Sequence, residues 1–210
     1  MRDVYHEELD SIGTTLIEMA GLVGSALNQA TAALLGPDLQ LAEKVISADD
    51  QVDALHKALD ARALDLLARQ QPVAGDLRTI ITSLRMSSDL ERMGDLARHV
   101  AKVARLRYPD TAIPAELHES ISEMGRIGEE LARKTGEIIE GRDVETARTL
   151  EDEDDAVDRL HRALFGSLLA GDYPVETAID VTLIGRYYER FADHAVSVAR
   201  RLIFLVTGDY

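Results

Sequence analysis

Asp49-Asp50-Gln51-Val52-Asp53-Ala54-Leu55-His56-Lys57-Ala58-Leu59 returns 105 residues later as Asp154-Asp155-Ala156-Val157-Asp158-Arg159-Leu160-His161-Arg162-Ala163-Leu164. The shared pattern, D-D-x-V-D-x-L-H-x-A-L, has eight identities in eleven positions. The same offset pairs Met19 with Met124, Gly36 with Gly141 and Asp38 with Asp143. A second pair of segments, Glu91-Arg92-Met93-Gly94-Asp95 and Glu189-Arg190-Phe191-Ala192-Asp193, is related by an offset of 98. The difference, 105 − 98 = 7, makes the hairpin between the two motifs about seven residues shorter in the second half. A fixed internal period of this kind is the signature of one structural unit built twice.

Working outward, helical periodicity is nearly unbroken and its breakers are few. Six helices are expected, over about 5–35, 38–70, 76–107, 115–140, 143–169 and 174–206. Gly36-Pro37 stops the first and Asp38 caps the second. Gln71-Pro72-Val73-Ala74-Gly75-Asp76 and Gly171-Asp172-Tyr173-Pro174 are turns, and residues 108–114, with two prolines, link the halves. The expected fold is all-α: two tandem three-helix bundles related by the internal repeat, the first over 1–108 and the second over 114–210. Composition agrees, because Ala, Leu, Glu and Arg lose little side-chain freedom in a helix and aromatics are only 4%.

Charge and composition exclude several functions. The formal net charge is −15, so a face-wide contact with nucleic acid or a bare anionic membrane is disfavoured, and cations or a basic partner are attracted. The chain has no Cys, which excludes disulfides, thiolate nucleophiles and Cys-ligated zinc or iron–sulfur sites. The start, Met1-Arg2-Asp3-Val4-Tyr5-His6-Glu7-Glu8, is polar and unlike a signal peptide, and no apolar run approaches the ~20 residues of a membrane span. The expected location is the cytoplasm. No Walker-type phosphate loop, Ser-His-Asp arrangement or basic phosphate pocket is evident, so the expectation is a protein that is not an enzyme.

Each half carries acidic pairs four residues apart: Asp49 with Asp53, Glu91 with Asp95, Asp154 with Asp158, and Glu189 with Asp193. Residues so spaced share a helix face, and two like charges there cost roughly 0.2–0.5 kcal/mol. Such pairs are common on solvated faces. Here Glu91 and Asp95 continue the line of Leu77, Ile81 and Leu84, opposite Leu90, Met93, Ala97 and Val100. Asp49 and Asp53 continue the line of Ala42, Val45 and Ile46, beside Val52, Leu55 and Leu59. The carboxylates therefore border a packing seam, where crowded negative charge needs protonation, an Arg partner or a cation. Arg85, Arg92 and Arg190 offer a purely structural salt-bridge network. Matched pairs on two helices of each unit favour a metal, with four carboxylates per site. Oxygen-only sets suit Mg, Mn, Ca or ferric iron, and bridging carboxylates suit a multinuclear cluster.

The histidines are weaker candidates. Asp53-x-x-His56 and Asp158-x-x-His161 are similar to the Glu-x-x-His of di-iron bundles, with Asp for Glu. His99 and His194 have no counterpart across the repeat. A carboxylate-bridged di-iron oxidase or metal-storage bundle would need Glu-x-x-His on facing helices, and the chain contains none. A metal-free helical adaptor is the third reading.

These residues carry a likeness: the chain resembles the PhoU family over nearly its whole length. The family's hallmark is (E/D)-x-x-x-D on two helices of each of two three-helix bundles, and all four copies stand here. Asp89-Leu90-Glu91-Arg92-Met93-Gly94-Asp95 and Tyr188-Glu189-Arg190-Phe191-Ala192-Asp193-His194-Ala195 are similar to its most recognisable segments. His99 departs, since that segment often has Asn. The resemblance implies multinuclear iron or zinc clusters, with Mg or Mn within reach, on Asp49, Asp53, Glu91, Asp95, Asp154, Asp158, Glu189 and Asp193. It also implies a metal-binding regulatory adaptor of phosphate homeostasis. Such a protein restrains phosphate uptake and the phosphate-starvation response by linking the ATPase subunit of a phosphate ABC importer to a sensor histidine kinase. It would sit at the inner face of the plasma membrane through those partners, and the long apolar helices are compatible with a homodimer.

Overall fold

Uninterrupted runs of good helix formers, punctuated by Gly-Pro and capping Asp residues, fold as long helices. The computed structural model describes residues 2–70 and 72–209, with side chains over 7–69 and 72–209. Met1 and Tyr210, the outer limits of the two expected units, and Gln71 of the first turn lie outside the described residues. Among the described residues there are six α-helices and no strand: α1 Arg2–Leu35, α2 Leu39–Gln70, α3 Ala74–Arg107, α4 His118–Gly141, α5 Val144–Ala170 and α6 Val175–Thr207.

The repeated Asp38 and Asp143 do the same work. Asp38 Oδ1 accepts the Leu41 N–H at 3.0 Å, and Asp143 Oδ1 accepts the Thr146 N–H at 3.1 Å. Each satisfies an otherwise orphaned donor in the first turn of α2 or α5. The fourth helix differs from expectation: Ala115–Leu117 form a 3-10 turn, and α4 begins at His118. The linker packs Ile113 and Leu117 into the core, and His118 Nε2 lies 3.0 Å from the Ile113 carbonyl oxygen. That inward bend delays the α-helical register by three residues.

Helices α1–α3 form one bundle and α4–α6 the other, and the two pack side by side, α1 on α4 and α3 on α6. Their buried apolar residues make one continuous core. Helix α1 is therefore buried on two faces. Met19 and Val23 face α3, where Met19 Sδ lies 3.7 Å from Ser87 Oγ. Ala20, Gly24, Leu27 and Thr31 face α4, which answers with Gly125, Gly128, Ala132 and Gly136. Spacing of three and four puts these small residues on one stripe, so the helix axes approach closely. A Cβ on Gly128 would lie 2.5 Å from Leu27 Cδ2, and one on Gly125 would lie 2.6 Å from Thr31 Oγ1.

Polar contacts fix the register across this seam. Buried Thr31 shares a 2.7 Å hydrogen bond with the Tyr188 hydroxyl of α6. Buried Asp89 of α3 accepts from Arg201 Nε at 2.6 Å and pairs with His194 Nδ1 at 3.0 Å. Arg107 Nε, at the end of α3, donates to Asp180 Oδ2 of α6 at 2.5 Å. A buried carboxylate left alone would be costly, so these partners tie the two bundles in one orientation.

Gly125→Val would drive a branched side chain into Thr31 and break its bond to Tyr188. The expected loss is about 2–3 kcal/mol of unfolding free energy in urea denaturation, although valine is the better helix former. An unchanged midpoint would show that the α1–α4 seam tolerates separation.

Candidate functional site

In the first unit, α2 carries Asp49 and Asp53 and α3 carries Glu91 and Asp95. The notion that these border the seam holds for Asp49, which is buried at 6% exposure; the other three are half-buried. The α3 face shared with Leu77 and Ile81 turns outward, since both are exposed, and the core face is Leu90, Met93, Ala97 and Val100. Gly94 lets α2 come close: a Cβ there would stand 2.9 Å from Asp49 Oδ1. Burial pushes the Asp49 carboxyl up to about 6, opposed by Arg98 and reinforced by Asp95, Asp53 and Glu91.

Arginine already occupies this cluster. Arg98 Nη1 lies 2.6 Å from Asp49 Oδ2, a close ion pair rather than an aligned hydrogen bond, and its Nη2 donates to Asp95 Oδ1. Arg92 Nη1 donates to Asp95 Oδ2 at 2.9 Å and its Nε lies 3.5 Å from Glu91 Oε2. Asp53 has only a loose contact with Lys57, 3.9 Å. Of the arginines expected to compensate, Arg92 does so; Arg98 was not foreseen, although its place three residues after Asp95 was the available signal.

The second unit repeats the carboxylates without that cation. Asp154 and Asp158 stand on α5, Glu189 and Asp193 on α6. Asp154 is pushed up to about 7, first by burial and then by Asp193, Asp158 and Glu189, so the four charges lie within electrostatic reach of one another. Burial also raises Glu189, with Asp193 adding and Arg186 opposing. Arg186 donates to Glu189 Oε1, but Glu189 Oε2 and Asp154 Oδ1 are buried with no hydrogen-bond partner. Asp158 has a loose contact with Arg162 at 3.9 Å, and Asp193 is exposed.

The histidines divide in the same way. His56 Nδ1 is satisfied by Ser87 Oγ at 2.8 Å. Across the repeat, 87 + 98 = 185, and Gly185 replaces that hydroxyl. His161 lies against Gly185 and Phe165, and its Nε2 is buried without a partner. Burial and Arg186 hold its protonation below the usual range, so the neutral ring is favoured. His99 packs edge-on against Tyr187, and His194 serves Asp89.

Donor chemistry thus fits a cation best in the second unit, where Asp154 Oδ1 and Glu189 Oε2 have no hydrogen-bond partner; in the first unit the one such carboxylate oxygen, Asp49 Oδ2, already faces Arg98 Nη1 at 2.6 Å. The first unit fits less well, since a guanidinium already bridges Asp49 and Asp95. Among the described residues, no three Asp, Glu or His side chains are drawn into ion-holding geometry as they stand.

Comparison with known proteins follows the repeat. The PhoU domain model matches residues 16–104 and again 121–202. The chain is 49% identical over 212 residues to the phosphate-specific transport system accessory protein PhoU homolog 2 of Mycobacterium tuberculosis, covering 100% of both. The crystal structure of PhoU from Pseudomonas aeruginosa superposes with a TM-score of 0.87 at 28% identity, covering 98% of this chain and 100% of that one. The phosphate transport system regulatory protein PhoU from Streptococcus pneumoniae gives 0.87 at 26% identity, covering 98% of each.

The raised carboxyls make stability pH-dependent. The folded value of Asp154, about 7, stands above its ordinary 3.8, so its stabilising contribution is complete below about pH 4 and lost as pH rises through 7. Metal-free protein should therefore melt lower at pH 8 than at pH 5.5. Asp154→Asn should shrink that difference by about 3 °C, or about 1 kcal/mol after solvent screening. Calorimetry at both pH values in chelator checks this, and an undiminished difference would place the dependence elsewhere.

Proposed function

The chain belongs to the PhoU family, and on that premise we propose that it is a regulatory accessory protein of a phosphate transport system. The observation that carries the reading is whole-length likeness, in both halves, to a protein named for that role. The proposal extends to partners. The protein would join the ATPase subunit of a phosphate ABC importer to a sensor histidine kinase, restraining uptake and the starvation response when phosphate is plentiful. It would act without catalysing a reaction, in the cytoplasm at the inner face of the plasma membrane, as a homodimer. Among the described residues no helix is long and apolar enough to cross a membrane, so attachment there would come through partners.

The surface supports docking. Along α3, Leu77 and Ile81 are exposed and lead at spacings of three and four to Glu91 and Asp95; along α6, Val175 and Ile179 lead likewise to Glu189 and Asp193. Exposed Leu64 and Leu169, 105 residues apart, flank the two ridges. Each unit thus presents an apolar ridge running into an acidic cluster, a combination suited to a partner with apolar and basic groups.

We also propose that metal binds within the acidic carboxylate set, iron or zinc before magnesium or manganese. Asp154, Asp158, Glu189 and Asp193 would be the principal ligands, with Asp49, Asp53, Glu91 and Asp95 as their repeat counterparts. When bound, the ion would supply positive charge to the cluster, where burial opposes the ionisation of Asp154 and Glu189. The helices' part is to hold those carboxylates on facing stripes and to exclude water from Asp154 and Glu189.

In a host deleted for its own PhoU protein, this chain should silence a phosphate-starvation reporter at least tenfold in phosphate-rich medium and co-purify with the importer ATPase subunit. Replacing Glu91, Asp95, Glu189 and Asp193 by Ala should relieve silencing and lower the metal content measured by elemental analysis. A reporter indifferent to the chain would refute the regulatory reading; unchanged metal content would refute the metal reading.

A further inference from the structure

The two units are copies, but their acidic clusters differ in where a cation stands: Ser88 becomes Arg186 across the repeat, while Arg98 has no charged counterpart. Arg98 maps by the offset of 98 onto Val196. Val196 is buried at 5% exposure and brings no charge. Arg98 lies between the helices with one guanidinium nitrogen on Asp49 of α2 and the other on Asp95 of α3. Its Nε is buried without a hydrogen-bond partner. Burying an unpartnered N–H costs free energy, so the carboxylates' charge is what holds the group there.

We propose that Arg98 is the built-in counter-ion of the first acidic cluster and makes that cluster independent of metal, leaving the second cluster as the chain's metal site. The second clause rests on the metal reading above. A divalent ion entering the first unit would meet a like charge fixed between two of its four prospective ligands, and expelling Arg98 would break both pairs. In the second unit Val196 holds the equivalent position, Arg186 donates to Glu189 Oε1, and Asp154 Oδ1 and Glu189 Oε2 stay without a hydrogen-bond partner. The repeat thus neutralises its carboxylates in two ways, with Arg98 spanning both helices in one half and, in the other, a recruited cation beside the Arg186–Glu189 pair.

The test is equilibrium dialysis of the full chain against zinc(II) alone, with bound zinc counted by elemental analysis. Asp154→Asn with Glu189→Gln should lower bound zinc at least tenfold, while Asp49→Asn with Asp95→Asn should leave it unchanged. Arg98→Val should add a second binding step. Val196→Arg, which leaves the first unit intact, should cut uptake at least tenfold. The inference is overturned if the first-unit double variant strips zinc as fully as the second, if Arg98→Val adds no zinc, or if Val196→Arg binds normally. Should the wild-type chain bind no zinc, the metal reading fails, and Arg98 is judged by melting in chelator. A drop of about 5 °C for Arg98→Val, non-additive with Asp49→Asn, upholds the counter-ion role; a small additive shift refutes it.

Discussion

Negative charge crowded between two packed helices is the constraint that organises each half of this protein. Helices α2 and α3, and again α5 and α6, bring four carboxylates within reach of one another where water is partly excluded. Repulsion and desolvation both oppose ionisation there. The helices are held together by apolar burial on their other faces, which forces the acidic groups to find a counter-charge or keep a proton. The first unit answers with Arg98 and Arg92; the second sets Arg186 on Glu189 Oε1 and leaves Asp154 Oδ1 and Glu189 Oε2 without a hydrogen-bond partner.

That tension can persist because the frame around it is rigid. The α1–α4 stripe of Gly24, Gly125, Gly128, Ala132 and Gly136 lets two helices pack nearly backbone to backbone. Thr31 with Tyr188 ties α1 to α6, and Asp89 with Arg201 and His194 ties α3 to α6, which fixes the register of the two bundles. The acidic clusters are displayed on this shared core, so a change in charge at a cluster meets a stiff support. On the proposed accessory role, a stiff surface of this kind would suit docking to a partner. Exposed Leu77 and Ile81 on α3, and Val175 and Ile179 on α6, stand on the same helical lines as the clusters, so the proposed docking face would adjoin the charge.

Much of this was legible in the sequence. The D-D-x-V-D-x-L-H-x-A-L repeat, Gly36 and Gly141 as stops and Asp38 and Asp143 as caps announced two three-helix units, because helix starts, stops and periodicity are local properties. The eight acidic residues could be listed, and their pairing on facing helices inferred, from spacing of four. The apolar line Leu77, Ile81 and Leu84 was harder to read: spacing assigns residues to a face but does not say which of two apolar faces is covered.

The chain alone therefore determined the helices, their duplication and the acidic stripes, since each depends on neighbours within a few residues. Only the tertiary structure decided which carboxylates are buried, that Arg98 spans Asp49 and Asp95 while Asp154 Oδ1 and Glu189 Oε2 are left without a hydrogen-bond partner, and that the two units share one core. Those outcomes depend on distances between groups tens of residues apart, and Coulomb energy and desolvation are set by those distances and by the surrounding atoms.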